Sequence, residues 1–229
     1  MKTFVFFGDK QCDYRSLMAN QKDFYVGDRL ILASQTVIAE QVASDKVYLC
    51  SKKDNGAGFG SHSQVQGVDA LITAIPNQYL LIRTADCFPI LLEDKKQRVV
   101  AAVHSGREGT RLNLVGKTIN ALKEKLEVMA QDLIAYIGAG ICGEHYTVDE
   151  GTWRFYNECM EQQGFFIGKV PFCHIDLRAG ITQQLLAAGV PSNQIVHKNT
   201  CTFESPLYFS YRRDKTDNRQ ISLIGLIDE

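Results

Sequence analysis

Thr84-Ala85-Asp86-Cys87-Phe88-Pro89-Ile90-Leu91-Leu92, the polar stretch Glu93 to Arg98, and then Val99-Val100-Ala101-Ala102-Val103-His104 read as a β-hairpin with a thiol on one arm and an imidazole on the other. If Glu93 opposes Arg98 across the turn, Cys87 falls directly opposite His104. Directly opposed residues of an antiparallel pair have Cβ atoms roughly 4.5–5.5 Å apart, close enough to share a metal ion or a proton. Pro89 cannot donate to a ladder, and a bulge there would slip the register by one residue and turn one of the pair to the other face. A buried structural thiol beside a hydrogen-bonded histidine is the plainer alternative.

Around this hairpin the chain has the composition of an ordinary soluble globular protein. Its 229 residues are 45% apolar and 22% charged, with a net charge of −1. A chain of this size buries about 70% of its unfolded surface, so it is expected to be stable as a monomer. No basic excess points to nucleic acid. The apolar start Phe4 to Phe7 is too short for a signal peptide or a membrane span, so a cytoplasmic location without membrane association is expected. The seven cysteines are scattered and form no Cys-x-x-Cys pair, which argues against a disulfide framework and against a zinc ribbon.

No repeat or linker divides the sequence, and residues 1–229 read as one domain. Strand-like runs fall at Phe4–Phe7, Thr36–Val42, Lys46–Cys50, Ala70–Ala74, Tyr79–Thr84, Val99–Val103, Leu133–Ile137, Tyr208–Arg212 and Ile221–Ile227. Leu112, Val115, Ile119, Leu122, Leu126 and Met129 lay an apolar stripe along one helix of about five turns, capped by Thr110 or Asn113. A second helix is expected over Glu150 to Gln163, with Trp153, Tyr156 and Met160 inward. A third opens on Asp176 as N-cap and ends at Gly189. Strands outnumber helices without regular alternation, which favours an α+β architecture of mixed sheets with helices packed outside.

Several constellations bear on chemistry. Directly after His104, Ser105-Gly106-Arg107-Glu108-Gly109-Thr110 forms a glycine-bracketed strand-to-helix turn. Gly106, Arg107 and Gly109 are candidate anion-binding residues there, and a plain β–α turn is the alternative. Gly138-Ala139-Gly140-Ile141-Cys142-Gly143 matches the dinucleotide-binding pattern, but Glu144 to Val148 reads as extended rather than helical; a backbone-lined wall or a structural turn fits better. His145 and His174 stand isolated in sequence and read as surface or supporting residues. Near the end, Leu207 to Arg213 reads as one arm of a closing hairpin, with Arg212 able to meet an anionic substrate group.

These motifs together resemble the YfiH-like, or laccase-domain, family, whose members are also called multicopper polyphenol oxidases. The resemblance rests on Ala85 to Leu92, Ala102 to Gly106, Asp69 to Thr73, Ile137 to Val148, Cys201-Thr202 and Phe209 to Arg213, and it covers most of the chain from about Val37 onward. It implies a single-domain sandwich of mixed sheets flanked by helices, similar to toxin-like cysteine hydrolases. It also implies a zinc ion held by one cysteine and two histidines. The associated activities are purine nucleoside phosphorolysis, adenosine deamination and methylthioadenosine cleavage, with nucleoside and phosphate as small-molecule partners, and in related members the editing of peptidoglycan precursors.

The family's cysteine and second histidine fall on Cys87 and His104. The first histidine would fall on Ala43 of Gln41-Val42-Ala43-Ser44, and an alternative alignment puts Gln66 there. The family's Gly-Trp-Arg-Gly becomes Gly106-Arg107-Glu108-Gly109, an anion in place of a cation. His62, on the loop before Gln64, is a candidate substitute ligand; a catalytic zinc ordinarily needs three protein ligands. Without it, Cys87 and His104 would serve as nucleophile and base of a metal-free amidase. A non-catalytic binding descendant is the third reading. Five histidines are too few for several imidazole-rich copper centres, so copper is not expected.

Overall fold

Alternation along the central hairpin sets the layers. In β8 (Phe88–Asp94), Phe88, Ile90 and Leu92 face one way and Leu91 the other. In β9 (Val100–Ser105), Ala101 and Val103 oppose Val100 and Ala102 in the same sense. All of these are buried, so both faces of the hairpin must be covered.

The computed structural model describes residues 1–165 and 170–228. The smaller of its two main sheets contains β1 (Lys2–Phe7), β4 (Thr36–Ile38), β7 (Tyr79–Thr84) and β12 (Gln220–Ile227), in the order β1-β12-β7-β4. The larger adds β5 (Val47–Leu49), β6 (Ala70–Thr73), β10 (Leu133–Ile137) and β11 (Ile195–His197) to the hairpin, in the order β11-β10-β8-β9-β6-β5. Both are mixed: β4 runs parallel to β7, β5 to β6 and β11 to β10, while the other pairs are antiparallel. A separate hairpin joins β2 (Phe24–Val26) to β3 (Arg29–Ile31).

Leu71, Leu91, Val100 and Ala102 of the larger sheet pack against Val37, Leu80, Ile82 and Ile224 of the smaller one, forming the layer between sheets. The far face of the larger sheet carries α3 (Leu114–Leu126), α4 (Glu150–Gln162) and α5 (Leu177–Ala187). The far face of the smaller sheet carries α1 (Tyr14–Asn20) and the β2–β3 hairpin. This is the α+β sandwich of mixed sheets flanked by helices. Among the described residues no helix is long and apolar enough to cross a membrane.

The hairpin register differs from expectation. Asp94 donates to the carbonyl of Val99, the turn is the shorter Lys95 to Arg98, and Pro89 rather than Cys87 lies opposite His104. The slip is two residues, which preserves which face each side chain takes. Phe88 pairs with Ser105 beside Pro89, so the proline sits in the ladder without a change of face.

Three other expectations change. The run after His104 breaks into α2 (Arg107–Arg111) and α3, because Asn113 turns left-handed at φ 55° and its side chain accepts from the Gly116 N–H as the N-cap of α3; Met129 lies beyond the helix, exposed. The Thr36 run stops at Ile38, and Gln41 and Ala43 are left-handed at φ 57° and 61°. Tyr208–Arg212 is not a strand. Ser210 caps α6 (Tyr211–Asp214), accepting from the Arg213 N–H, so the closing hairpin is replaced by a helical turn. The expected helix over Glu150 to Gln163 is found as α4, and Asp176 caps α5 through the Ala179 N–H.

Leu91, fully buried between the two sheets, is the residue by which the sandwich is tested. Leu91→Ala should destabilise by about 3 kcal/mol through lost burial and a residual cavity, read as a lower urea midpoint at an unchanged slope.

Candidate functional site

Cys87 and His104 converge although they are not ladder partners. Asp86 adopts φ 92°, a conformation a non-glycine residue takes only when held there. It is held: its carboxylate accepts from Thr202 Oγ1 at 2.7 Å and from the Arg212 N–H at 2.7 Å, and its carbonyl accepts from the Ile141 N–H at 2.9 Å. Beyond the kink Cys87 lies beside His104, close enough to influence its charge, and the two line the same cavity. Gly106 is required opposite it, since a Cβ there would lie 2.6 Å from the Cys87 sulfur.

The third member of the site is Asp69, which sequence reasoning did not assign. His104 Nδ1 lies 2.8 Å from Asp69 Oδ1, and the His104 N–H donates to the Asp69 carbonyl. The fully buried carboxylate also accepts from the N–H groups of Val42 (3.1 Å), Ala43 (3.1 Å) and Ser44 (2.6 Å) and from Ser44 Oγ (2.9 Å). Asp69 immediately precedes β6 and has the parity of Leu71, so it points into the same inter-sheet layer as His104. That parity was the available signal; what was missing was the pairing of β6 with β9.

Electrostatics follow from this packing. Burial works against the charged form of His104, but the Cys87 sulfur and the Asp69 carboxylate outweigh it and hold the imidazole at about 9. For Asp69 burial acts upward, yet His104 and the Ser44 donors hold the acid below its ordinary range. The third site member therefore stabilises an imidazolium and, through Nδ1, leaves Nε2 to face the thiol.

Two cavities meet at Cys87. One, of about 380 Å³, is lined by Gln41, Arg83, Cys87, His104, Tyr211 and Arg219 among others. The second, of about 590 Å³, is lined by Cys87, Tyr146, Thr147, Tyr211, Arg212 and Lys215 among others. Arg212 donates to the Thr147 carbonyl at 2.6 Å and lies over the Tyr146 ring. Arg107 is ion-paired to Glu108, whose other oxygen is forked by Arg111 at 2.8 and 3.0 Å, so the unexpected anion is neutralised on both sides. Gly109 lets α2 close onto the end of β9; a Cβ would lie 3.3 Å from the His104 carbonyl.

His62 is not brought to the pair. It sits on an exposed loop with Nδ1 3.2 Å from the Asn55 carbonyl and lines neither cavity. Ala43 supplies only a backbone N–H, already spent on Asp69. Among the described residues Cys87 and His104 thus have no third side-chain ligand, and the donor set does not fit a catalytic zinc. Among the described residues, donors gather closely enough to hold a metal ion at one other place: Cys142, His145, Cys201 and Glu204, whose ligand atoms all lie within 4.8 Å of one another. His145, which sequence reasoning read as isolated, belongs to this group.

A thiol, an imidazole and a buried carboxylate are thus gathered at the mouth of a two-sheet sandwich beside open cavities. Residues 8–227 match the family model described as multi-copper polyphenol oxidoreductase laccase, and the chain belongs to that family. A purine nucleoside phosphorylase of Corynebacterium glutamicum is 35% identical over 195 residues, covering 85% of this chain and 76% of its own. One from Bacteroides thetaiotaomicron is 31% identical over 196 residues, covering 82% and 69%. Among solved structures, YlmD from Geobacillus stearothermophilus superposes with a TM-score of 0.79 at 27% identity (86% and 76% covered), and the hypothetical protein YfiH of Bacillus licheniformis with 0.78 at 25% (93% and 78%). The YfiH-like resemblance is borne out.

The sign of the His104 contribution to stability is set by its raised value. Because its folded value of about 9 exceeds the ordinary 6.5, its contribution is complete below about pH 6.5 and is lost as the pH rises through 9. Urea unfolding at a series of pH values should show this decline, and His104→Gln should flatten it. Asp69→Asn should cost about 3 kcal/mol, because it breaks a buried pair.

Proposed function

We propose that this protein is an enzyme of purine nucleosides, transferring the ribosyl group of inosine or a related nucleoside to phosphate, with Cys87, His104 and Asp69 as its working groups. The observation that carries the reading is a thiol, an imidazole and a buried carboxylate in one array, with Cys87 where two cavities meet. The relatives' description as purine nucleoside phosphorylases supplies the substrate class.

In this reading the nucleoside occupies the cavity lined by Gln41, Arg83, Tyr211 and Arg219, with its base against the Tyr211 ring. Phosphate occupies the neighbouring cavity beside Arg212 and Lys215. A phosphate oxygen bonds to C1′ as the C1′–N9 bond breaks, its electron pair leaving with the purine. His104 Nε2 gives its proton to the departing base, which would otherwise leave as an anion, and recovers a proton from solvent. Asp69 keeps the ring oriented and charged. The Cys87 sulfur, as the partner of the imidazolium, lies where positive charge develops on the sugar. Deamination of adenosine and cleavage of methylthioadenosine are the related substrate choices. Zinc at Cys87 and His104 is not part of the proposal, because no third ligand joins them among the described residues.

A second reading rests on the same Cys–His–Asp arrangement: Cys87 attacks the carbonyl of an amide in a peptidoglycan precursor, His104 protonates the leaving amine, and water releases the acyl group from sulfur. Incubation with inosine and phosphate should yield hypoxanthine and ribose 1-phosphate. His104→Gln should lower that rate by at least about 100-fold, and the rate should fall as the pH rises through the imidazole's value near 9. No turnover of nucleosides, together with an acyl adduct on Cys87 detected by mass spectrometry after incubation with the amide precursor, would favour the second reading instead.

A further inference from the structure

Cys142 and Cys201 each open a turn with a second donor three residues later: Cys142-x-x-His145 and Cys201-x-x-Glu204. The turns close through backbone bonds to the cysteine carbonyls, from the His145 and Tyr146 N–H groups in one and from the Ser205 N–H in the other. A bridge between Gly140 and Cys201 sets them side by side, and the Cys142 N–H donates to the Cys201 sulfur at 3.3 Å. Two such turns facing each other form the usual scaffold of a closed four-ligand metal site.

We propose that Cys142, His145, Cys201 and Glu204 bind a zinc-class divalent cation, separate from the Cys87–His104 pair. The donors are already clustered: Cys142 Sγ is 3.1 Å from His145 Nδ1 and 3.9 Å from Glu204 Oε1, and His145 Nδ1 is 3.3 Å from that oxygen. A tetrahedral zinc with bonds of about 2.0–2.3 Å spaces its ligand atoms about 3.3–3.8 Å apart, so small side-chain adjustments suffice. The His145 ring is held by stacking on Phe203, 4.6 Å between centroids. Two sulfurs, one imidazole and one carboxylate select a borderline-soft ion over magnesium or calcium. Binding replaces the thiol protons, which pass to solvent. Arg213, paired with Asp214, lies close enough to feel Cys201 and holds the second turn in place by donating to the carbonyls of Thr202, Phe203 and Ser205.

The position gives the cation a role. Ile141, before the first ligand, donates to the Asp86 carbonyl, and Thr202, after the third, donates to the Asp86 carboxylate. A metal that clips the two turns together would brace the strained residue that presents Cys87. Glu204 and His145 are partly exposed, which gives an ion a path in.

The test uses the full-length protein, reduced and stripped with chelator, titrated with Co²⁺ and then Zn²⁺. The expected result is a thiolate-to-cobalt charge-transfer band at about one equivalent, displaced by zinc. Cys142→Ser and Cys201→Ser should lose the band, and Cys87→Ser should keep it. Glu204→Gln, at an exposed position, serves if the cysteine variants fail to fold; it should weaken affinity by at least the roughly 10- to 100-fold that loss of an outer-shell partner costs. Absence of the band in the folded unaltered protein, its persistence in Cys142→Ser, its loss in Cys87→Ser, or a Cys142–Cys201 disulfide found in protein isolated without reductant would each overturn the proposal.

Discussion

A buried carboxylate organises this molecule. Asp69 has no access to solvent, and ionised carboxylates persist in such places only when their lone pairs are met by donors. Here three consecutive N–H groups, a serine hydroxyl and an imidazole meet them. The three N–H groups come from residues 42 to 44, just past the end of β4 in the smaller sheet, whereas Asp69 and His104 belong to the larger one. One side chain therefore pins the connection from β4 to β5, which passes between the sheets, at the end where the site opens, and in doing so fixes the orientation and charge of His104.

The same arrangement explains the character of the site. The N–H groups of residues 42 to 44 wrap Asp69, the Gln41 N–H donates to the Val68 carbonyl, and Gln41 and Ala43 are left-handed; the Gln41 side chain mimics a strand neighbour of β7, exchanging bonds with the Arg83 N–H and carbonyl. Ala43, which by the family resemblance stands in place of a histidine, contributes a backbone N–H to Asp69. What remains is a thiol facing an imidazolium backed by a carboxylate, an arrangement suited to proton donation and to sulfur nucleophilicity. Gly106 completes it by leaving room for the sulfur.

Asp86 is the second organising carboxylate. It receives bonds from three segments distant in sequence, at Ile141, Thr202 and Arg212, and those bonds hold a backbone conformation that an unsupported aspartate would abandon. The arginines after it divide accordingly. Arg213 is consumed by four carbonyls and Asp214 in binding the loop that precedes α6, while Arg212 lines the cavity beside Cys87. Reading 208–212 as a strand concealed this, because Tyr-Phe-Ser-Tyr has strong extended propensity, and beside the local Ser210 cap the helical turn has a long-range partner, the Asp86 carboxylate that accepts from the Arg212 N–H.

The local pattern of residues determined the strands β6, β7 and β10, the helix α4, the helix α5 with its aspartate cap, the α+β class, and the face on which Cys87 and His104 would lie, since parity survives a two-residue slip. These are properties of neighbours within a few positions, where periodicity and capping chemistry act. Tertiary structure alone decided that Asp69 backs His104, that His62 stays away, and that Cys142, His145, Cys201 and Glu204 meet. Each of those depends on which strand lies beside which and on the paths of loops between sheets, contacts between residues tens of positions apart that no local spacing encodes.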